Sequence, residues 1–233
     1  MRHSIILLVS LVASLPLSLA CGSDAPPPGS GDGGPKATGP ILPWKVGNRW
    51  TYRVTDSAGV TTKETTIEEE ETVGGTGPNA DKRAHRVVTK KQDGADQTIS
   101  WQVDEGDSVI RYREQSFSAK TDALELEEHW DPYKLHVDGT DEHTTLGAQW
   151  LESYQEFKAP VDLPETEATA RDFWTVDGVG EEVTVPYGTF SDCIIFQKVG
   201  GSKPKTYWYV RGVGKVKETG SQTEELVSYE LVQ

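Results

Sequence analysis

Cysteine occurs only twice in this 233-residue chain, at Cys21 and Cys193. So few thiols exclude a disulfide framework; one Cys21–Cys193 bridge is the most that could form. Basic side chains are also scarce, 23 against 37 acidic ones, giving a net charge of −14. That balance excludes a nucleic-acid-binding surface, whose phosphate contacts need a basic footprint. It also argues against adhesion of the folded part to anionic lipid. Sustained helical periodicity is missing. So are a phosphate loop, a dinucleotide fingerprint, an HExxH pattern and an EF-hand loop. A nucleophile elbow is absent too, because Gly200-Gly201-Ser202-Lys203 lacks the closing glycine. These absences point away from an enzyme, and no cofactor is expected.

What is present begins at the N-terminus. Arg2 supplies a positive start, and residues 5–19 form an apolar stretch ending in small residues. The stretch is shorter than the roughly 20 residues a membrane-spanning helix needs, and Pro16 would break such a helix. This is the pattern of an export signal. Two cleavage readings compete. Ser18-Leu19-Ala20 fits an ordinary small-x-small site. Leu17-Ser18-Leu19-Ala20-Cys21-Gly22-Ser23 resembles the signals of bacterial lipoproteins, with Ser18 standing where those usually carry Leu or Val. The resemblance implies removal of residues 1–20 and acylation of Cys21. Two or more acyl chains anchor stably, and Gly22 after the cysteine implies sorting to the outer membrane. The membrane is then one partner, reached through the lipid. Cys193 is left unpaired in the apolar run Cys193-Ile194-Ile195-Phe196, as a buried thiol behaving like a small hydrophobe. It lacks the basic surroundings of a catalytic thiol.

Residues 21–43 read as a tether rich in Gly and Pro, with too little apolar surface to offset its ordering entropy. Residues 44–233 read as one globular domain, and all seven tryptophans fall within it. Trp50, Tyr52 and Val54 alternate with polar neighbours. Ile99, Trp101 and Val103 do the same, with Ser100 and Gln102 on the wet face. This period of two marks antiparallel strands with one dry and one wet side. Turn signals separate the runs at Asp93-Gly94, residues 104–107 and Asp138-Gly139. Residues 193–199 and 207–210 are apolar on both faces and should be covered on both sides. One short helix is expected within residues 163–172. The fold class is mainly β: an antiparallel, strongly twisted sheet in a single domain, bent into a sandwich, a barrel or a half-barrel with an open mouth.

Gly47-Asn48-Arg49-Trp50-Thr51-Tyr52, Val185-Pro186-Tyr187-Gly188-Thr189-Phe190, residues 209–216 and residues 225–229 resemble TapB-like exported bacterial lipoproteins. Residues 55–145 are not matched. The family is similar in architecture to the LolA/LolB-like half-barrels, which implies a concave face able to hold acyl chains. Gly147-Ala148-Gln149-Trp150 echoes the Gly-x-x-Trp of residues 47–50.

One polar constellation is a candidate metal site. A tight turn at Asp131-Pro132-Tyr133-Lys134 would set His129 opposite His136, and Glu127 opposite Asp138, where zinc could bind. The plainer expectation is that both histidines occupy a wet face. Glu68-Glu69-Glu70-Glu71 reads as a solvated strand. The tryptophans and tyrosines either build the core or line a cavity. The function expected is a membrane-anchored envelope lipoprotein with a non-catalytic domain, acting through binding to a protein partner or as a structural component. The alternatives are a carrier or sensor for an apolar ligand and, last, a hydrolase.

Overall fold

The computed structural model describes residues 38–91, 97–118, 121–201 and 203–232. Cys21, its signal and most of the expected tether lie outside them, as does Asp93-Gly94. The first half of the chain forms β1 (Arg49–Asp56), β2 (Gly59–Thr72), β3 (Arg83–Lys91), β4 (Gln97–Asp104), β5 (Ser108–Phe117) and β6 (Leu124–Asp138). After a single helical turn at Glu142–Thr144 come β7 (Gln149–Pro160), β8 (Thr166–Val185), β9 (Gly188–Val199), β10 (Lys205–Val210), β11 (Gly214–Thr219) and β12 (Thr223–Glu230).

Each strand pairs antiparallel with its chain neighbours, and β1 pairs with both β2 and β12, closing a twelve-stranded barrel. Closure leaves no exposed edge. The residues expected to be helical instead form a turn and the start of β8, where Thr166 and Thr169 pair with Lys158 and Gln155 of β7. The pairing partner and the β-branched threonines outweigh the local Glu and Ala content. No helix of the described residues is long and apolar enough to cross a membrane. The outer wall carries ion pairs such as Arg53–Glu225 and Lys217–Glu225, whereas a lipid-embedded barrel presents an apolar band.

Because the strands run up and down, the turns after β2, β4, β6, β8 and β10 gather at one end, together with the lead into β1. That end is closed. Ile41 and Leu42 of the expected tether are buried here, 1 % and 5 % exposed. The Pro40 carbonyl accepts from the Gly212 N–H at 2.9 Å, and Ile41 lies so close to Gly139 that a Cβ there would sit 2.4 Å from it. The folded unit therefore takes in residues 38–43 as a strap across the barrel's base.

The Gly-x-x-Trp echo has a structural counterpart. Gly47 and Gly147 both adopt positive φ, 91° and 81°, a conformation that glycine reaches without strain. Gly47 donates to Ile67 on β2 and Gly147 to Val176 on β8, both at 2.9 Å; the same two strand residues donate back to Asn48 and Ala148. Equivalent joints thus open each six-stranded half.

Two pieces cover the barrel from outside. Residues 73–82 fold over β4–β6: Arg113 donates to the Val73 carbonyl at 2.7 Å, and Asn79 to the Trp130 and Pro132 carbonyls at 2.8 Å each. Ile99, Trp101 and Tyr112 are buried. The β8–β9 hairpin tip packs on β12, with Tyr187 against Tyr229 and its N–H on the Leu226 carbonyl. Cys193 is wholly buried near this tip. Burial first, then Asp192 and Glu181, push its thiol up to about 12, so it stays protonated and unreactive.

Candidate functional site

A twelve-stranded barrel is wider than the eight-stranded kind that side chains can fill. Below, Ile41, Leu42, Trp50, Val176, Phe196 and Leu226 belong to a continuous apolar cluster over the strap. Above it lies a cavity of about 890 Å³ reaching the opposite rim at Gly201, Lys203 and Gln222. Its walls include Trp44, Trp50, Tyr52, Trp174, Tyr207 and Tyr209. The aromatic residues thus serve as core and as cavity lining at once, because each spans the boundary between the two layers.

The lining is charged, and with the opposite sign from the whole protein. Leaving aside Arg171, whose side chain shares the exposed face of β8 with Phe173, nine of the 23 basic side chains face this cavity, against five of the 37 acidic ones. Two clusters hold most of them. On the β2, β10, β11 and β12 wall, Lys215 bonds Glu218 and, at 2.8 Å, Glu224; Lys63 bonds Glu224, and Lys205 bonds Glu218 at 2.8 Å. Three ammonium groups share two carboxylates. Burial alone would raise both carboxyls, but Lys215 with Lys63 or Lys205 overrides it: Glu224 is held down to about 2 and Glu218 lower still. Lys63 pays for the surplus of positive charge. Burial, then Lys215, bring it down to about 8.

On the far wall Lys198 pairs with Asp172 at 2.5 Å, and Tyr154 donates to Asp172 at 3.0 Å. Lys134 and Lys158 meet Glu156 at 3.5 and 3.1 Å, and Glu128, outside the lining, also meets Lys158. Glu152 lies behind this wall, taking the Trp174 indole N–H at 3.2 Å, and burial raises its carboxyl. Lysines also stand over ring faces, Lys198 over Trp174 at 4.9 Å and Lys215 over Tyr52 at 5.2 Å, a favourable cation–π placement.

At the floor, Arg111 donates to Glu114 at 2.8 Å and reaches Nδ1 of His136 at 2.6 Å. Burial and then Arg111 hold His136 well below its ordinary value, so its ring is neutral.

The structure does not form the hairpin expected at residues 131–134. β6 continues through Asp131-Pro132, so His129 and His136 lie on one strand instead of facing each other. His129 is buried against Phe157, ring centroids 4.6 Å apart, under Gly77; His136 lines the cavity. Among the described residues no three His, Cys, Asp or Glu side chains converge as a metal-holding group. Ser100 and Gln102 are 4 % exposed; the wet face of β4 is the barrel interior. The cavity lysines and carboxylates were not singled out from the sequence. Their only signal there is charge interleaved with aromatic residues across residues 205–224.

No family model and no curated protein matches the chain. A crystal structure of a Bacteroides fragilis protein with a YmcC-like fold, inferred to be exported, aligns with 83 % of this chain and 100 % of its own length. The identity is 12 % and the TM-score 0.47.

Proposed function

We propose that this chain is an exported, lipid-anchored envelope protein whose barrel binds an anionic organic molecule. The observation that carries the reading is the cavity's excess of four basic over acidic side chains in a protein of net charge −14. A ligand bearing negative charge neutralises the surplus; its planar or apolar part packs on the Trp and Tyr walls. A bare acyl chain is the poorer occupant, since it would strip water from ammonium groups and return nothing. No bond-making step is assigned to the site.

Residue 38 emerges at the closed base, so a lipid on Cys21 is tethered to the end of the barrel opposite the cavity mouth. Cys21→Ala is expected to move the protein from the membrane to the soluble fraction, and the wild type to carry an acyl mass increment. A soluble, unmodified wild type would refute the anchor.

Binding is tested with two probes on the mature protein: the anionic amphiphile 8-anilinonaphthalene-1-sulfonate and the neutral dye Nile red. The sulfonate should bind saturably, one per chain, and weaken with salt as screening predicts. Equal or better binding of Nile red would instead support an apolar ligand. Contact with a protein partner is a second reading. It rests on Leu151, Phe173 and Val199, cross-strand neighbours on β7–β9 that are 58 %, 40 % and 45 % exposed.

A further inference from the structure

We infer that Lys63 is a reactive amine, placed to capture an anionic aldehyde or ketone as an imine. The inference rests on the binding reading above and deepens it. Five side chains form a chain of alternating charge along one wall: Lys63 to Glu224, Glu224 to Lys215, Lys215 to Glu218, and Glu218 to Lys205. Both ends of that chain are positive, so one ammonium group exceeds the carboxylates. Lys215 lies between the two carboxylates and keeps its proton. The Lys205 side chain is 43 % exposed, so water solvates its charge. The Lys63 side chain is 13 % exposed, lines the cavity, and meets a single carboxylate among the described residues, Glu224. The Glu224 oxygen that it meets also accepts from Gln222 at 2.6 Å.

The neighbouring strands add no further anion. On β3, Lys91 is the register partner of Lys63, and both line the cavity; like charges directly opposite repel. Asp56 lies 3.9 Å from the Lys91 ammonium. On β1, Tyr52 is the other register partner, its ring centroid 5.4 Å from Nζ of Lys63, and burial keeps that phenol protonated. At the floor Arg111 holds Glu114, and His136 is neutral. Lys63 is thus the member of the cluster that gives up a proton most readily, and burial and then Lys215 bring it down to about 8. A desolvated lysine beside another cation is an activated nucleophile. In the capture step the ammonium group first loses a proton to water. The amine lone pair then forms the N–C bond as the carbonyl π bond breaks, and one amine proton passes to the oxygen. A proton from water lets the hydroxyl leave as water. The iminium that remains is again a cation beside Glu224, so the cluster keeps its charge balance.

Reductive trapping tests the amine. Pyridoxal phosphate, an aromatic aldehyde with an anionic group, is added to the mature protein at pH 7, and the imine is reduced with borohydride. Peptide mapping should place the pyridoxyl group on Lys63 at about tenfold the level on exposed Lys90. Trapping should rise with a midpoint at about pH 8, against about pH 10 for an ordinary lysine; a lysine that only pairs with Glu224 would not show that profile. Lys63→Arg keeps a cation for Glu224 and should lose the adduct while still binding the sulfonate dye. If that variant fails to fold, the peptide map and pH profile of the wild type decide. Lys63 labelled no more than Lys90 overturns the reactive amine, and saturable dye binding by the same protein then leaves the binding reading intact. Labelling of Lys63 by neutral benzaldehyde as strongly as by pyridoxal phosphate supports the amine and overturns the anionic ligand.

Discussion

Replacing Lys215 by methionine is expected to lower folding stability by about 3–5 kcal/mol, the cost of breaking a buried ion pair from one side. The ammonium group of Lys215 is the centre of the wall cluster, bonded to Glu218 and Glu224, and those two residues are 6 % and 2 % exposed. Methionine fills the space but leaves the two carboxylates to Lys63 and Lys205 alone. Urea unfolding at pH 7 measures the loss; a change under ~1 kcal/mol would show that the remaining lysines suffice. Acid supplies the internal control. A carboxyl held low in the folded chain contributes stability above its unfolded value near 4.5, and that stability is lost as pH falls through the folded value. Wild type should therefore weaken as pH drops from 4.5 toward 2, the window set by Glu224. In the variant, the carboxyls lose their main cation and protonate at higher pH. The gap between the two proteins should narrow at pH 3. A constant gap would place the cost in packing rather than in charge.

Trp50→Ala is expected to cost a similar ~3–5 kcal/mol, by cavity formation in a close-packed core. Trp50 is 2 % exposed, and its indole N–H donates to the Val213 carbonyl at 2.7 Å, tying β1 to the β10–β11 turn. That turn is the one the strap rests on: Gly214 has no room for a Cβ beside Leu42 and Trp50. Removing the indole should therefore also loosen residues 38–43, read as faster amide exchange there. Trp208→Ala is the comparison. It is only half-buried, with Lys217 over its ring, and should cost far less. Equal costs at the two positions would contradict the division between barrel interior and outer wall.

These two experiments separate the layers of the interior. The lower layer is held by apolar burial around the strap. The upper layer keeps its lysines and carboxylates buried by pairing them, with one ammonium group in surplus in the Lys215 cluster alone. A fold that needed only stability would do as well with apolar residues in those positions, and the charged layer is where the proposed ligand would gain its recognition.

Much of the architecture was legible in residue order. Alternation at Trp50-Tyr52-Val54 marked β1, glycine and proline near 186–188 and 212–214 marked two turns, and antiparallel pairing followed from both. The joint at Gly47 to Trp50 announced its own repeat at Gly147. Even so, alternation assigns a face only until the first bulge. Lys215 and Lys217 are two apart and should point the same way. The pairing shifts between Trp208 and Tyr209, so that Lys215 faces the cavity and Lys217 meets Glu225 outside. Arg111 and Arg113 are divided in the same manner by the shift between them on β5, one into the cavity and one onto Glu127. The sequence by itself determined strands, turns and the amphipathic rhythm, because these depend on neighbours along the chain. Only the tertiary structure decided that β1 meets β12, and hence that a polar face is an interior. Closure joins the two ends of the sheet, and no local pattern records which side of a twelve-stranded wall will hold the water.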